Sequence, residues 1–184
     1  MAELSCSANA AVAFGFLLSK GLRDFQVAAI VGNLQQESGV DPQVPPGDGG
    51  TAYGIAQWHD PRWSNLIAYA TQTGRSPWSL DVQLEFLWHE LQTVSAFGLK
   101  SILASTTIDG ATIAFQDNFE RCGTCDTPSR IAFARAALYT CPAIKSPVTA
   151  PKGGWFAATV GVLALVAAAG YGAHAALTRS WRIS

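Results

Sequence analysis

The sequence predicts an α+β domain, mainly α, followed by a single apolar segment of membrane-spanning length. Three observations predict it. Apolar residues recur at helical spacing through most of the first 140 residues. One stretch, residues 40–61, carries turn chemistry instead and leaves room for a small loop or β insertion. Residues 155–177 are apolar apart from His174. The boundaries that follow are a folded domain at 1–141, a Pro/Gly linker at 142–154, a transmembrane helix at 155–178 and a short basic tail at 179–184.

Each element has a local reason. The run from Ser7 to Ser19 is a first core helix. In the second, Asp24 to Gln36, Val27, Ile30, Val31 and Leu34 share a face, and Gly39 offers a stop. No helix is credible from Val40 to Pro61, where Asp41-Pro42, Pro45-Pro46-Gly47 and Asp48-Gly49-Gly50 are turn sequences. Thr51 to Trp58 reads as a short extended piece or hairpin. Ser79 can cap a long helix whose stripe is Leu80, Leu84, Leu87 and Leu91, with Gly98 bending or dividing it. Asp109 to Glu120 forms another helix, with Ile113 and Phe119 facing inward. Thr127-Pro128 is an N-cap and first-turn pair for a helix to Tyr139. Pro142, Pro147, Pro151 and Gly153-Gly154 make a semi-rigid linker. The apolar run after it would span about 35 Å as a helix, against a hydrocarbon core of about 30 Å. Trp155 and Trp181 suit its two interfaces. Arg179 and Arg182 lie closer to the span than Lys145 and Lys152, which favours a cytoplasmic tail and an outward domain.

Composition narrows the function classes. The formal net charge of −1 leaves no electrostatic footprint for nucleic acid, and a neutral polar substrate remains compatible. Glu3 stands where a cleavable signal would need positive charge, so none is expected. The four cysteines are Cys6, Cys122, Cys125 and Cys141. Cys122 and Cys125 have the spacing of a tight disulfide, a redox motif or half a zinc site, and Cys6 and Cys141 lack the paired spacing that would complete a metal site. Free thiols are the other alternative. A Cys6–Cys141 bridge would close the domain's ends on each other. No metal and no cofactor is expected. His89-Glu90 has no second His at Thr93, and the glycines from Gly47 to Gly54 lack the ending of a phosphate loop.

The chemistry centres on Glu37. It continues the face of Val27, Ile30 and Leu34 and sits in the last turn of its helix, at the negative end of the helix dipole. Burial and dipole both favour the protonated carboxyl, the form a general acid needs. The aromatic segment Tyr53 to Trp58 follows a turn-rich loop and could lie against it. The competing reading is a solvated glutamate at a helix end.

Gly32-Asn33-Leu34-Gln35-Gln36-Glu37-Ser38-Gly39, followed by Tyr53-Gly54-Ile55-Ala56-Gln57-Trp58, resembles the phage tail lysozyme family of the lysozyme-like superfamily. Gln83-Leu84-Glu85-Phe86, His89-Glu90-Leu91, Phe119-Glu120, Arg130 and Ala132 are similar to it too, so that the resemblance runs from about Ala10 to Ala137. It implies a lysozyme-like domain that cleaves the β-1,4 bond between N-acetylmuramic acid and N-acetylglucosamine in peptidoglycan. It implies Glu37 as general acid and Gly54 to Trp58 as lining of the sugar subsites. Asp48 is the candidate second carboxylate, with Asp41 and Asp60 behind it and a plain turn role as its alternative. Tyr53 and Gln57 are candidate substrate contacts, and Trp58 a sugar-stacking ring or a packing residue. Glu120 is read as structural, pairing with Arg130 or Arg135.

The expectation is therefore a peptidoglycan-cleaving enzyme, a muramidase or lytic transglycosylase. It would be anchored by one membrane pass, carried by a virion with other virion proteins, and used to open the host wall during genome delivery. The partners expected are peptidoglycan and a lipid membrane, without nucleic acid. The alternatives are a non-catalytic glycan-binding or structural membrane protein of a virion, and a bacterial wall-remodelling enzyme.

Overall fold

A computed structural model of the chain describes residues 5–141. The linker at 142–154, the apolar segment at 155–178 and the tail at 179–184 lie outside the described residues. Among the described residues no helix is long and apolar enough to cross a membrane.

The centre of the domain is α2, Asp24–Ser38, whose residues 26–34 are all buried. A helix buried on every side needs neighbours all round it. They are α1 (Ala8–Ser19), α6 (Ile108–Phe115) and α7 (Thr127–Thr140). The remaining helices are α3 (Arg62–Gln72), α4 (Leu80–Thr93) and the short α5 (Leu99–Ala104). Two polar residues inside α2 serve as anchors: the Gln26 side chain donates to the Ile102 carbonyl at 3.1 Å, and Asn33 Nδ2 donates to the Thr112 carbonyl at 3.2 Å. Buried amides persist in a core only when partnered in this way.

Capping follows the sequence at Gly39 but not at Ser79, whose hydroxyl makes no capping bond to α4 and donates to the Ser76 carbonyl at 2.8 Å. Ser7 caps α1 by accepting from the Ala10 N–H, and Gly39 takes a left-handed φ of 65° to end α2. At α7 the cap is Asp126 rather than Thr127, because its carboxylate accepts from the Ser129 N–H and Pro128 falls within the first turn. The long helix ends at Thr93, and Gly98, at φ 82°, starts α5 after a 3-10 turn over Ser95–Phe97.

Three expectations need correction. The β part is absent as strands among the described residues. Only isolated bridges form, Gly47 to Ala52 and Tyr53 to Trp58, because Asp48, Gly49, Gly50, Gly54 and Gln57 all adopt positive φ and break any ladder. Helix α3 was not foreseen, although Trp63, Leu66 and Ala70 bury one face at helical spacing. The helix read from Asp109 to Glu120 changes pitch: α6 ends at Phe115, and Gln116–Glu120 is a π-helical turn closed by the Arg121 N–H on the Gln116 carbonyl at 2.8 Å. Phe119 in the wider turn is fully buried, whereas Ile113, upstream in α6, is 39% exposed, against the expectation that both face inward.

Helices α2 and α7 approach more closely than side chains allow. A Cβ on Gly32 would stand 2.4 Å from the Ala134 nitrogen and 2.5 Å from its Cα. Across the domain, Cys6 bonds to Cys141 over a sequence separation of 135 and joins the start of α1 to the end of α7. Cys122 bonds to Cys125, and no described cysteine is left as a free thiol.

Two outcomes follow for stability. Replacing Gly32 by Ala should destabilise the domain by about 1–3 kcal/mol through overpacking, although alanine is the better helix former. Urea unfolding at equilibrium measures it, and an unchanged midpoint would refute the contact. Converting Cys6 and Cys141 together to Ser should cost about 4 kcal/mol, the scale for releasing so long a loop, read as a lower midpoint in the same titration.

Candidate active site

The end of α2, the loop after it, the π-helical turn and α7 surround one cleft of about 600 Å³. Five elements contribute polar or charged lining: Glu37 from α2, Asp48 and His59 from the loop, Arg62 from α3, Glu120 from the π-helical turn and Arg130 from α7. A smaller hollow of about 310 Å³, lined by Tyr69, His89 and neighbours on α3 and α4, contains none of the residues singled out in the sequence as site candidates.

The loop is held by named clamps. Buried Gln83 on α4 accepts from the Ile55 N–H at 2.9 Å and donates to the Pro42 and Pro77 carbonyls at 3.0 and 2.8 Å. Gly54 permits this, since a Cβ there would meet Gln83 Oε1 at 2.7 Å and its φ is +69°. Ser38 reaches across to the Ile55 carbonyl at 2.8 Å, which ties the helix turn bearing Glu37 to the loop. Glu90 on α4 anchors the loop through buried contacts. It accepts two hydrogen bonds from Arg62 and one from Trp58 Nε1, all at 2.8 Å. The Arg62 guanidinium carbon lies over both the Phe97 and Phe119 rings, 4.4 and 4.3 Å from their centroids. It also donates to the Phe119 carbonyl at 3.1 Å, one residue before Glu120.

Glu37 is 18% exposed at the cleft wall, and its Oε1 accepts from Arg130 Nη2 at 2.5 Å. The other Arg130 amino group donates to Asn33 Oδ1 at 3.0 Å, so the guanidinium joins two residues one helical turn apart. Its Nε is buried without a partner. The close approach at Gly32 makes this reach short, because Arg130 lies one turn before Ala134 on α7.

Glu120 departs most from the sequence reading. It does not bond to Arg130, which is occupied by Glu37 and Asn33, nor to Arg135, which pairs with Asp109 at 2.7 Å. Its Oε1 is shut from solvent and has no hydrogen-bond partner, although the residue as a whole is partly exposed. Burial pushes the Glu120 carboxyl well above the ordinary carboxylate range. Glu37 and Glu90 add to the rise, and Arg130 and Arg62 oppose it. The one available signal in the sequence was its place in the Phe119-Glu120 pair; its environment was not readable.

The family model for phage tail lysozyme matches residues 8–140. The chain belongs to the phage tail lysozyme family. Among curated proteins no match is found. Membership of the phage tail lysozyme family points to peptidoglycan as substrate, to glycoside cleavage as the reaction class and to bacteriophage as the setting.

Within this phage tail lysozyme domain the sequence candidates separate. Glu37, Asp48 and Gln57 line the same cleft. Asp48 is exposed, has φ +45° and meets His59 Nε2 at 3.1 Å, while Thr51 Oγ1 lies 3.3 Å from the other ring nitrogen. The Gln57 amide is spent on the loop, accepting from the Gly47 N–H and donating to the Gly54 carbonyl, both at 3.1 Å. Trp58 is fully buried in the core against Glu90 and Phe86. Tyr53 is not among the residues lining the cleft. It stacks on Trp63 at 5.0 Å, and its hydroxyl donates to the Gly50 carbonyl at 2.6 Å. Asp41 and Asp60 serve turns and helix starts, accepting from the Gln43 and Ser64 N–H groups.

Glu120 makes stability depend on pH. Its folded pKa lies above its unfolded value, so its full contribution is present below the unfolded value of about 4.3. It is lost as pH rises towards the folded value. Replacing Glu120 by Gln should therefore leave stability unchanged near pH 4 and raise it at pH 7. Urea midpoints at the two pH values test this; an equal effect at both would refute it.

Proposed function

We propose that this domain cleaves the β-1,4 bond between N-acetylmuramic acid and N-acetylglucosamine, with Glu37 as the general acid. The observation that carries the reading is the position of Glu37. The matching family model covers the domain, and Glu37 ends the central helix at the wall of a 600 Å³ cleft that a glycan strand could occupy. Glu37 gives its proton to the leaving glycosidic oxygen as positive charge develops on the sugar ring. Water attack would then leave a reducing end, and attack by the sugar's own C6 hydroxyl an anhydro end. Asp48, held by His59 on the facing loop, is the candidate base for water in the hydrolytic branch. The anhydro branch needs no second carboxylate.

The apolar segment at 155–178 supports a further part of the proposal. It would tether the enzyme to a membrane by a single pass, with the Pro/Gly linker setting its reach. A virion carrying such an enzyme would open the host wall locally during genome delivery.

Incubating the full-length protein with peptidoglycan and weighing the released muropeptides tests the activity. Glu37→Gln should lower the rate by at least about 100-fold, the scale of a general acid. Anhydro-muramyl ends would assign a lytic transglycosylase, and reducing muramyl ends a lysozyme. Wild-type release by the Glu37→Gln variant would overturn the role of Glu37. No release from the native protein on several wall types would favour a glycan-binding or structural protein.

A further inference from the structure

We propose that Trp78, with Pro45 and Pro46, forms a sugar-binding subsite outside the cleft, which holds a neutral N-acetylhexosamine ring of the strand being cut. The inference rests on the reading of the domain as a glycan-cleaving enzyme and extends it to where the strand is held. Gln43, Val44, Pro45, Pro46, Ser76 and Trp78 line a hollow of about 440 Å³. None of the six lines the cleft that contains Glu37.

The hollow has a braced aromatic wall. Trp78 is 37% exposed, while Trp63 behind it is only 7% exposed. The two ring centroids lie 4.8 Å apart, and Tyr53 lies 5.0 Å from Trp63 and 6.3 Å from Trp78. The outermost ring of this cluster is thus supported by two others before any ligand arrives. The turn that carries it is fixed as well: the Trp78 N–H donates to Ser76 Oγ at 3.2 Å, and Ser79 Oγ donates to the Ser76 carbonyl at 2.8 Å. A large ring held rigid at the surface contributes contact area at little entropic cost.

The hollow is also tied in place relative to Glu37. Gln83 Nε2 donates to the carbonyls of both Pro42 and Pro77, the residues before Gln43 and Trp78, so one buried amide nitrogen links the two walls. Gln83 Oε1 accepts from the Ile55 N–H, and the Ile55 carbonyl accepts from Ser38, the neighbour of Glu37. This chain of hydrogen bonds sets a register between the hollow and the acid. The two linings also meet in sequence: Pro46 belongs to the hollow, and Gly47 and Asp48 belong to the cleft. Adjacent Cα atoms are about 3.8 Å apart, so a strand leaving the cleft past Asp48 comes directly to Pro46.

The lining chemistry selects the occupant. All six residues are uncharged. The carboxylates and amines of a wall peptide would lose water there with no opposite charge to meet. A neutral sugar ring offers a carbon face to the indole and the prolines, and its hydroxyl and acetamido groups suit the Gln43 amide and the Ser76 hydroxyl. A largely apolar hollow with a few polar groups is the usual form of such a site.

The test has two parts, both on the full-length protein. First, the Glu37→Gln variant is titrated with the β-1,4-linked tetramer of N-acetylglucosamine, and separately with free stem peptide, while indole N–H signals are followed by NMR. The Trp78 signal, assigned by its loss in Trp78→Phe, should move saturably with the tetramer. The signal of Trp88, which lines a different hollow, should stay. An unmoved Trp78, equal movement of both signals, or a response to the peptide alone would overturn the proposal, whether or not the protein cleaves peptidoglycan. Second, on isolated glycan strands Trp78→Ala should raise KM by about tenfold, the scale for removing one anchoring ring, and more than it lowers kcat. Trp78→Phe, which keeps a stacking ring, should recover most of that loss. Equal loss in the two variants, or a loss confined to kcat, would overturn the subsite. Loss of cleavage in Glu37→Gln tests the role of the acid separately.

Discussion

The site depends on one steric constraint, the contact of α2 with α7 at Gly32 and Ala134. The two backbones meet where no Cβ fits. That approach brings Arg130 within hydrogen-bonding range of both Asn33 and Glu37. Asn33 in turn reaches α6 through the Thr112 carbonyl. A single glycine thereby aligns three helices and places a guanidinium on the carboxyl at the end of the central one. A larger residue would separate the helices, and Arg130 would face a longer reach into a less buried position.

The second layer of organisation is a loop with little regular structure that is nonetheless held at defined points. Its conformation uses positive φ at several residues, so it cannot pair with itself as a sheet. Side-chain amides take over that work. Gln83 satisfies backbone groups on three segments, and Gln57 binds both ends of its own turn. Glu90, Arg62 and Trp58 then join loop, α3, α4 and the π-helical turn through a buried ion pair. Breaking one partner of such a group leaves a charge stranded, which is why networks of this type are costly to interrupt. The aromatic segment at Tyr53 to Trp58 thus acts mainly as scaffold for the cleft.

Around the cleft, Arg62 pairs with Glu90 and Arg130 with Glu37, the His59 ring meets Asp48, and Arg121 donates to backbone carbonyls. Glu120 is the cleft carboxyl with a shielded, unpartnered oxygen. Its charged form is disfavoured first by burial and then by neighbouring Glu37, while Arg130 and Arg62 oppose the rise. An unsatisfied buried carboxyl costs stability, and retaining one in the cleft that Glu37 lines is the kind of local conflict that functional sites carry.

The sequence by itself determined the helical character, the position of α1, α2, α4 and α7, the turn-rich loop and the placement of Glu37 at the end of an apolar stripe. These are local properties, set by spacing, caps and backbone preference over a few residues. Its motifs were enough to indicate the lysozyme family. Tertiary structure decided the rest. It buried Trp58 completely, stacked Tyr53 on Trp63, changed the pitch of the chain before Glu120, and formed α3 where an amphipathic face found a partner. It also assigned Arg130 to Glu37 and isolated Glu120. Those outcomes depend on groups some 30 to 97 positions apart in the chain, such as Trp58 with Glu90 and Asn33 with Arg130. Which distant charge reaches a carboxyl first follows from helix packing, and no window of neighbouring residues contains that information.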